Sequence, residues 1–161
     1  MKKRVGVIGC GGIAQIAHLP HLKKLTELYQ VVGCCDLDEK TLEFVTSKFH
    51  LPATSFGELL QLKPDALFIL SGGDHSSLVR TALESGIHVF VEKPLALSAR
   101  ESFELSALAE ERRLRLMVGY QKRYEPLLHN LSVALERSPP TLVCCRVVHP
   151  PDFLGRLQHE I

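Results

Sequence analysis

Two short stretches of the chain hold residues whose types and spacing could do chemistry. The first, Gly9-Cys10-Gly11-Gly12-Ile13-Ala14, has the spacing G-x-G-x-x-A. The first glycine of such a turn lets the chain reverse tightly. The second lets the backbone approach a ligand, and the final small residue lets a helix pack closely on the preceding strand. Amides at the start of that helix are then free to hold a pyrophosphate. A secretion signal would read the same stretch differently, with MKKR as its charged start and VIGC as a lipoprotein-like end at Cys10. Such a signal needs an apolar run of about 7–15 residues. Only Val5 to Gly9 precede Cys10, and two of those five are glycine, which favours the glycine turn.

Asp36 supplies a third element of a dinucleotide site. It ends an apolar run 22 positions beyond Ala14, where a carboxylate would accept from the 2′-hydroxyl of a ribose. Leu37 and Asp38 follow with no arginine beside them, so a 2′-phosphate would meet two carboxylates. This favours NAD, with NADP kept open by the nearby Lys40. Asp36 or Asp38 could instead cap the helix that starts near residue 38. Asp38 is the better placed to do so, which leaves Asp36 for the ribose.

The second stretch is Glu92-Lys93-Pro94, where the apolar run HVFVE (88–92) stops. In a doubly wound sheet the carboxyl ends of the strands line the ligand crevice. An ammonium there, beside a carboxylate, could bind a substrate hydroxyl. The strand could equally leave the core at this point, with the Lys–Glu pair merely solvated.

The rest of the chain must position these residues. Short runs rich in Val, Ile and Leu occur at RVGVI (4–8), QVVGCC (30–35), ALFIL (66–70), HVFVE (88–92) and RLMVG (115–119). Continuous apolar runs of this length suit strands buried on both faces of a parallel sheet. Helical patterns fill the gaps at 38–49, 74–86, 98–113 and 125–137. Asp74 is placed to cap the second of these and Gly86 to stop it, while Ser98 and Glu101 have capping-box spacing. Strands alternating with helices predict an α/β, doubly wound parallel sheet of Rossmann type.

Composition narrows the function classes. The 161 residues are 45% hydrophobic, enough for a packed core, and the formal net charge is +1. With no basic stripe and no apolar run of about 18 residues, neither nucleic acid nor a membrane is expected as a partner. Cys10, Cys34, Cys35, Cys144 and Cys145 form no C-x-x-C pair. Most lie in apolar runs, which predicts free, buried thiols in a reducing, cytoplasmic compartment. His18 and His21 lie three apart without an acidic or cysteine partner at ligand spacing, so no metal site is expected.

The glycine turn, Asp36, HSSLVRTALESGIHVFVEKPLALS (75–98) and MVGYQKRYEP (117–126) resemble the Gfo/Idh/MocA oxidoreductases over roughly residues 4–148. The resemblance implies a pyrophosphate held by Gly9, Gly11, Gly12, Ile13 and Ala14, with the adenosine ribose on Asp36. His75 would lie near the cofactor and Glu92 by the nicotinamide ribose. Lys93 would bind the reacting hydroxyl and relay its proton. Gln121 and Arg123 would border the nicotinamide, with Gln121 where the family usually has asparagine. Ser71 and Gly72 stand where the family commonly has Pro-Asn, in the loop over the cofactor. The activity implied is NAD(P)-dependent oxidation of a sugar, cyclitol or similar polyol.

Members of that family continue into a second, α+β domain that closes the substrate pocket, often forms the oligomer interface and carries a D-x-x-x-H pattern. The chain stops after what would be its first strand, TLVCCRVV (141–148), and neither His149 nor His159 lies in such a pattern. The expectation is a dinucleotide-binding domain over 1–138 and the start of a truncated domain over 139–161. Catalysis by these residues alone would be weak or absent, and the full-length form would be a homo-oligomer. The unpaired last strand would invite self-association. An NAD-binding regulatory or assembly module without chemistry is the alternative; the intact Glu92-Lys93-Pro94 argues against it.

Overall fold

The computed structural model describes residues 1–137, which fall into two compact units, Met1–Gly119 and a second that begins at Tyr120. The strand expected at 141–148 and the start of the second domain lie outside the described residues, with Cys144, Cys145, His149 and His159. Among the described residues no helix is long and apolar enough to cross a membrane.

In the first unit all five predicted runs are strands: β1 (Lys3–Ile8), β2 (Tyr29–Cys35), β3 (Ala66–Ile69), β4 (His88–Val91) and β5 (Leu116–Val118). They form one parallel sheet in the order β2-β1-β3-β4-β5. Outside β2 a lone parallel bridge joins Cys34 to Ala53. It is fixed by the Cys34 amide on the Pro52 carbonyl and the Thr54 amide on the Cys34 carbonyl, both at 2.9 Å. With that bridge counted as a vestigial strand, the order is 3-2-1-4-5-6, that of a dinucleotide-binding Rossmann sheet.

Alternation along the strands gives each face its own core. Ile8, Cys35, Leu67, Ile69, Val89 and Val91 belong to one cluster, covered by α3 (Phe56–Gln61), α4 (Ser76–Glu84) and α5 (Ala99–Glu111). Val5, Val7 and Cys34, with the partly buried Phe68 and Phe90, belong to the other. A π-helical turn (Ala14–His18), α1 (Leu19–Lys24) and α2 (Glu39–Phe49) supply the rest of that second core through Ala14, Leu19, Leu22 and Val45.

Local signals explain most helix starts. Asp38 caps α2 by accepting from the Thr41 amide at 2.7 Å. Ser98 caps α5 through the Glu101 amide at 3.2 Å. The expectation for α4 needs correction: it starts at Ser76, and Asp74 lies outside the cap position, accepting instead from the Ser76 amide at 3.0 Å and hydroxyl at 2.8 Å. His75 occupies the cap because its ring is engaged elsewhere. The short α3 escaped the sequence reading, although Ser55 and Glu58 form a full capping box at its start.

Leu59 of α3 is fully buried. It fills the space above two glycines: a Cβ on Gly6 or Gly33 would come within 2.8 or 2.9 Å of a Leu59 methyl. Leu59→Ala should leave a void there and lower the unfolding free energy by about 2–5 kcal/mol, measured as a shift of the urea midpoint with unchanged slope.

In the second unit a 3₁₀ turn (Gln121–Tyr124) leads into α6 (Pro126–Arg137). Gln121 and Arg123 are both exposed in that turn.

Candidate functional site

Strand register places the chemistry-bearing residues. Cys35, Ile8, Ile69, Val91 and Val118 pair across the sheet in one row. The next residues, Asp36, Gly9, Leu70, Glu92 and Gly119, therefore form the rim at the carboxyl edge. Four amides of that rim extend the ladder: Gly9 to Cys35 O, Leu70 to Ile8 O, Glu92 to Ile69 O and Gly119 to Val91 O, at 2.7–2.9 Å. β1 feeds β2 on one side while β3 lies on the other, so the glycine turn leaves the sheet at the point where strand order reverses.

Gly9 and Gly11 have different reasons to be glycine. Gly9 has φ +87°, and a Cβ there would collide with the Ser71 amide and lie 2.6 Å from Ser71 Cα. Gly9 is thus required by the loop after β3. Around Gly11 a Cβ would meet nothing within 4 Å, so its bareness leaves an open cradle rather than relieving a clash. Gly12 and Ile13 already have helical backbone, and a helix's first amides have no partner within it. Ala14 is fully buried, which allows the helix to seat on the sheet.

Asp36 closes this cradle from the β2 side. Its Oδ2 accepts from the Cys10 amide at 2.6 Å and its Oδ1 from the Asp38 amide at 2.9 Å. Each oxygen keeps a lone pair for a further donor. Gln15, a residue the sequence reading passed over, is buried; its Nε2 donates to the Cys10 carbonyl at 2.9 Å, and its Oε1 has no hydrogen-bond partner among the described residues.

Free, buried Cys10, Cys34 and Cys35 form the floor of the turn. The hydrogen bond with Cys10, together with burial, pushes the Cys34 thiol far up. Burial, with Cys10 and Asp36 close by, pushes Cys35 up from its ordinary 9.0 to about 12. Cys34 and Cys35 are packing thiols with little thiolate character.

On the β4 side, the Glu92 carboxyl group is buried. Its Oε1 meets His18 Nε2 at 2.9 Å, and its Oε2 accepts a longer bond, 3.3 Å, from the Lys93 amide. Gly119 roofs the carboxylate, for a Cβ there would lie 3.0 Å from Oε1. Lys93 is exposed, and its ammonium makes no hydrogen bond or ion pair with the described residues. The Lys93–Pro94 peptide is cis. His75 is buried, with Nδ1 2.7 Å from the Pro94 carbonyl and Nε2 2.5 Å from the Ser71 carbonyl. It ties the loop after β3 to the loop after β4. Gly72 is exposed, with open space around it.

The structure thus brings Gly9 to Ala14, Asp36, Ser71, His75, Glu92 and Lys93 to one edge of the first unit. Gln121 and Arg123 belong to the second unit. His18, weighed in the sequence only as a metal ligand, joins the rim through Glu92, 74 positions away, and no local pattern signals that pairing. No cluster of three or more His, Cys, Asp or Glu among the described residues could hold a metal ion. A groove of about 480 Å³ lined by Leu19, Leu22, Tyr29, Val31, Phe49 and Leu51 includes none of the rim residues.

Comparison with known proteins follows the same division. Residues 3–120 match the family described as an oxidoreductase family with an NAD-binding Rossmann fold. The inositol 2-dehydrogenase/D-chiro-inositol 3-dehydrogenase of Lacticaseibacillus casei is 30% identical over 84% of this chain and 41% of its own length. The UDP-N-acetylglucosamine 3-dehydrogenase of Acidithiobacillus ferrooxidans is 29% identical over 81% of this chain and 41% of its own. KijD10, a 3-ketoreductase from Actinomadura kijaniata crystallised with NADP, superposes with a TM-score of 0.76 at 29% identity, over 86% of this chain and 45% of that one. The chain spans about two fifths of the length of the curated relatives it matches.

Two outcomes follow from the rim geometry. Gly9→Ala should lower the thermal midpoint markedly, since it combines positive φ with a backbone collision, whereas Gly11→Ala should melt within a degree or two of the parent, to be checked side by side by calorimetry. With Cys144 and Cys145 replaced by serine, stability should fall between pH 9 and about 12. The unfolded Cys35 thiol loses its proton first in that window, so the unfolded state gains as pH rises; urea titrations at stepped pH would show it.

Proposed function

The chain belongs to the oxidoreductase family with an NAD-binding Rossmann fold, and from that premise we propose that it is the dinucleotide-binding part of an NAD(P)-dependent dehydrogenase. Its substrate is proposed to be a hydroxyl-bearing carbon of a sugar, cyclitol or similar polyol. The relatives named for inositol and for a nucleotide sugar support that class. The observation that carries the reading is the open cradle at Gly11, bounded by the anchored Asp36 carboxylate.

The residues present fit a dinucleotide. The amides of Gly12 and Ile13 and the bare Cα of Gly11 would hold the pyrophosphate, with Gly9 and Ala14 shaping the turn and its seat. Asp36 would accept from the adenosine ribose through its remaining lone pairs, which favours NAD; NADP, present in the KijD10 structure, stays open for this chain. Glu92 would accept from the nicotinamide ribose. Ser71, Gly72 and His75 would border the cofactor through the loop after β3, and Gln121 and Arg123 would border the nicotinamide.

NAD supplies a hydride acceptor when bound. Lys93 Nζ, unengaged by the described residues, would donate to the hydroxyl oxygen and stabilise the negative charge it gains; to relay the hydroxyl proton it would first give one of its own to water, and the freed lone pair would then take the hydroxyl proton. The buried thiols agree with a reducing cytoplasm. We also propose that the complete protein is a homo-oligomer.

Calorimetric titration of the chain with NAD and with NADP is the direct test. NAD should bind more tightly, and Asp36→Ala should weaken NAD by about tenfold or more and erase the preference. A folded chain that binds neither dinucleotide would overturn the reading.

A further inference from the structure

His18 meets the rim through Glu92 and has no place in the mechanism so far, yet its surroundings are closely determined. It ends the π-helical turn Ala14–His18, where the Leu19 amide reaches back to Ala14 O. Such turns often reshape a helix at a functional site. Its ring packs against Phe90 at 5.2 Å and edge-on to Phe68 at 6.4 Å between centroids, both on the sheet face that carries Glu92. Its Nε2 lies 2.9 Å from Glu92 Oε1, with side-chain exposures of 18% and 8%.

Burying a carboxylate is costly unless it is hydrogen-bonded. Glu92 receives one short bond, from His18, and one long bond from the Lys93 amide. Phe90 and the roof at Gly119 offer no donor side chain. His18 is therefore what fixes the direction of the carboxylate. With Oε1 taken, Oε2 is the atom left for a ligand, one residue before the exposed Lys93. The aromatic contacts keep the imidazole from turning away.

We infer that His18 is a positioning residue for the nicotinamide end of the site: it orients Glu92 toward the ribose next to the reacting ring and has no part in holding the adenine end. This rests on the proposed cofactor reading. It couples the helix that follows the glycine turn to the loop that carries Lys93, so the two halves of a dinucleotide site share one hydrogen bond.

The test uses the full chain and two probes, NAD and ADP, the latter lacking the nicotinamide half. His18→Phe keeps ring packing and removes the donor; His18→Gln keeps a donor near the position of Nε2. His18→Phe should weaken NAD by about tenfold and leave ADP unchanged, and His18→Gln should recover most of the loss. Asp36→Ala should weaken both probes. Equal NAD affinity in wild type and His18→Phe would overturn the inference, as would parallel loss of NAD and ADP, which marks a merely structural role. Failure of His18→Gln to recover binding would remove the hydrogen bond from the explanation. A wild-type chain that binds ADP, with NAD no tighter, defeats this inference while leaving the adenine-end reading intact; one that binds neither probe defeats both.

Discussion

In a parallel sheet every strand ends at the same edge, and here the amides of Gly9, Leu70, Glu92 and Gly119 continue the hydrogen-bond ladder one residue past the named strands. That ladder is the constraint on which the site depends. With Asp36, which follows the Cys35 carbonyl that Gly9 bonds, it brings five separate places in the sequence, each where an apolar run stops, into one line in space. A slip of one residue in any strand would send its side chains to the opposite face and carry its terminal residue off the line. Both faces of the sheet are packed, so such a slip would also exchange the two apolar sets and misfit both cores. The same burial that stabilises the sheet thus holds Asp36 beside the glycine turn and Glu92 beneath Gly119.

Close approach explains where the sheet tolerates glycine. Gly6 and Gly33 stand side by side on neighbouring strands, paired in the ladder, and their missing side chains admit Leu59. These two glycines serve packing. Gly9 serves a backbone crossing, while Gly11 leaves its space unfilled. Within one short motif, then, Gly9 is explained by the fold and Gly11 is left for a ligand. A motif match alone cannot make that distinction; the neighbouring atoms do.

The sheet was legible in the sequence because its strands are short, continuous and apolar, a pattern that few other elements share. Asp38 as the cap of α2 was legible for the same local reason. What was not legible depended on contacts between distant segments. The start of α4 shifted because His75 is held by the carbonyls of Ser71 and Pro94, one of them on the next loop. The vestigial strand at Ala53 is a single bridge, too short to leave a pattern. His18 and Glu92 are 74 positions apart, and neither residue type announces a buried pair. The capping box at Ser55 is a local signal, but the six residues of α3 are too few to show a helical period beside it.

Electrostatics at the glycine turn sets what the rim can accept. A carboxylate next to a pyrophosphate site would repel its ligand if its charge were free. Asp36 is held by two backbone amides, one from the turn itself, which spread its charge and draw it to the side of the cradle. Hydrogen bonds to an ionised acceptor are among the stronger ones. The carboxylate can then take a neutral hydroxyl on a remaining lone pair, while a phosphate on the same ribose would bring like charge to a fixed carboxylate with Asp38 two residues away. The Cys10 amide spent on Asp36 is an amide withdrawn from phosphate binding, so the turn trades some anion affinity for discrimination between ribose ends. Charge sparing of this kind requires the β1–β2 pairing to hold Gly9 on Cys35 O at 2.9 Å, since that bond fixes the distance between the turn and the carboxylate.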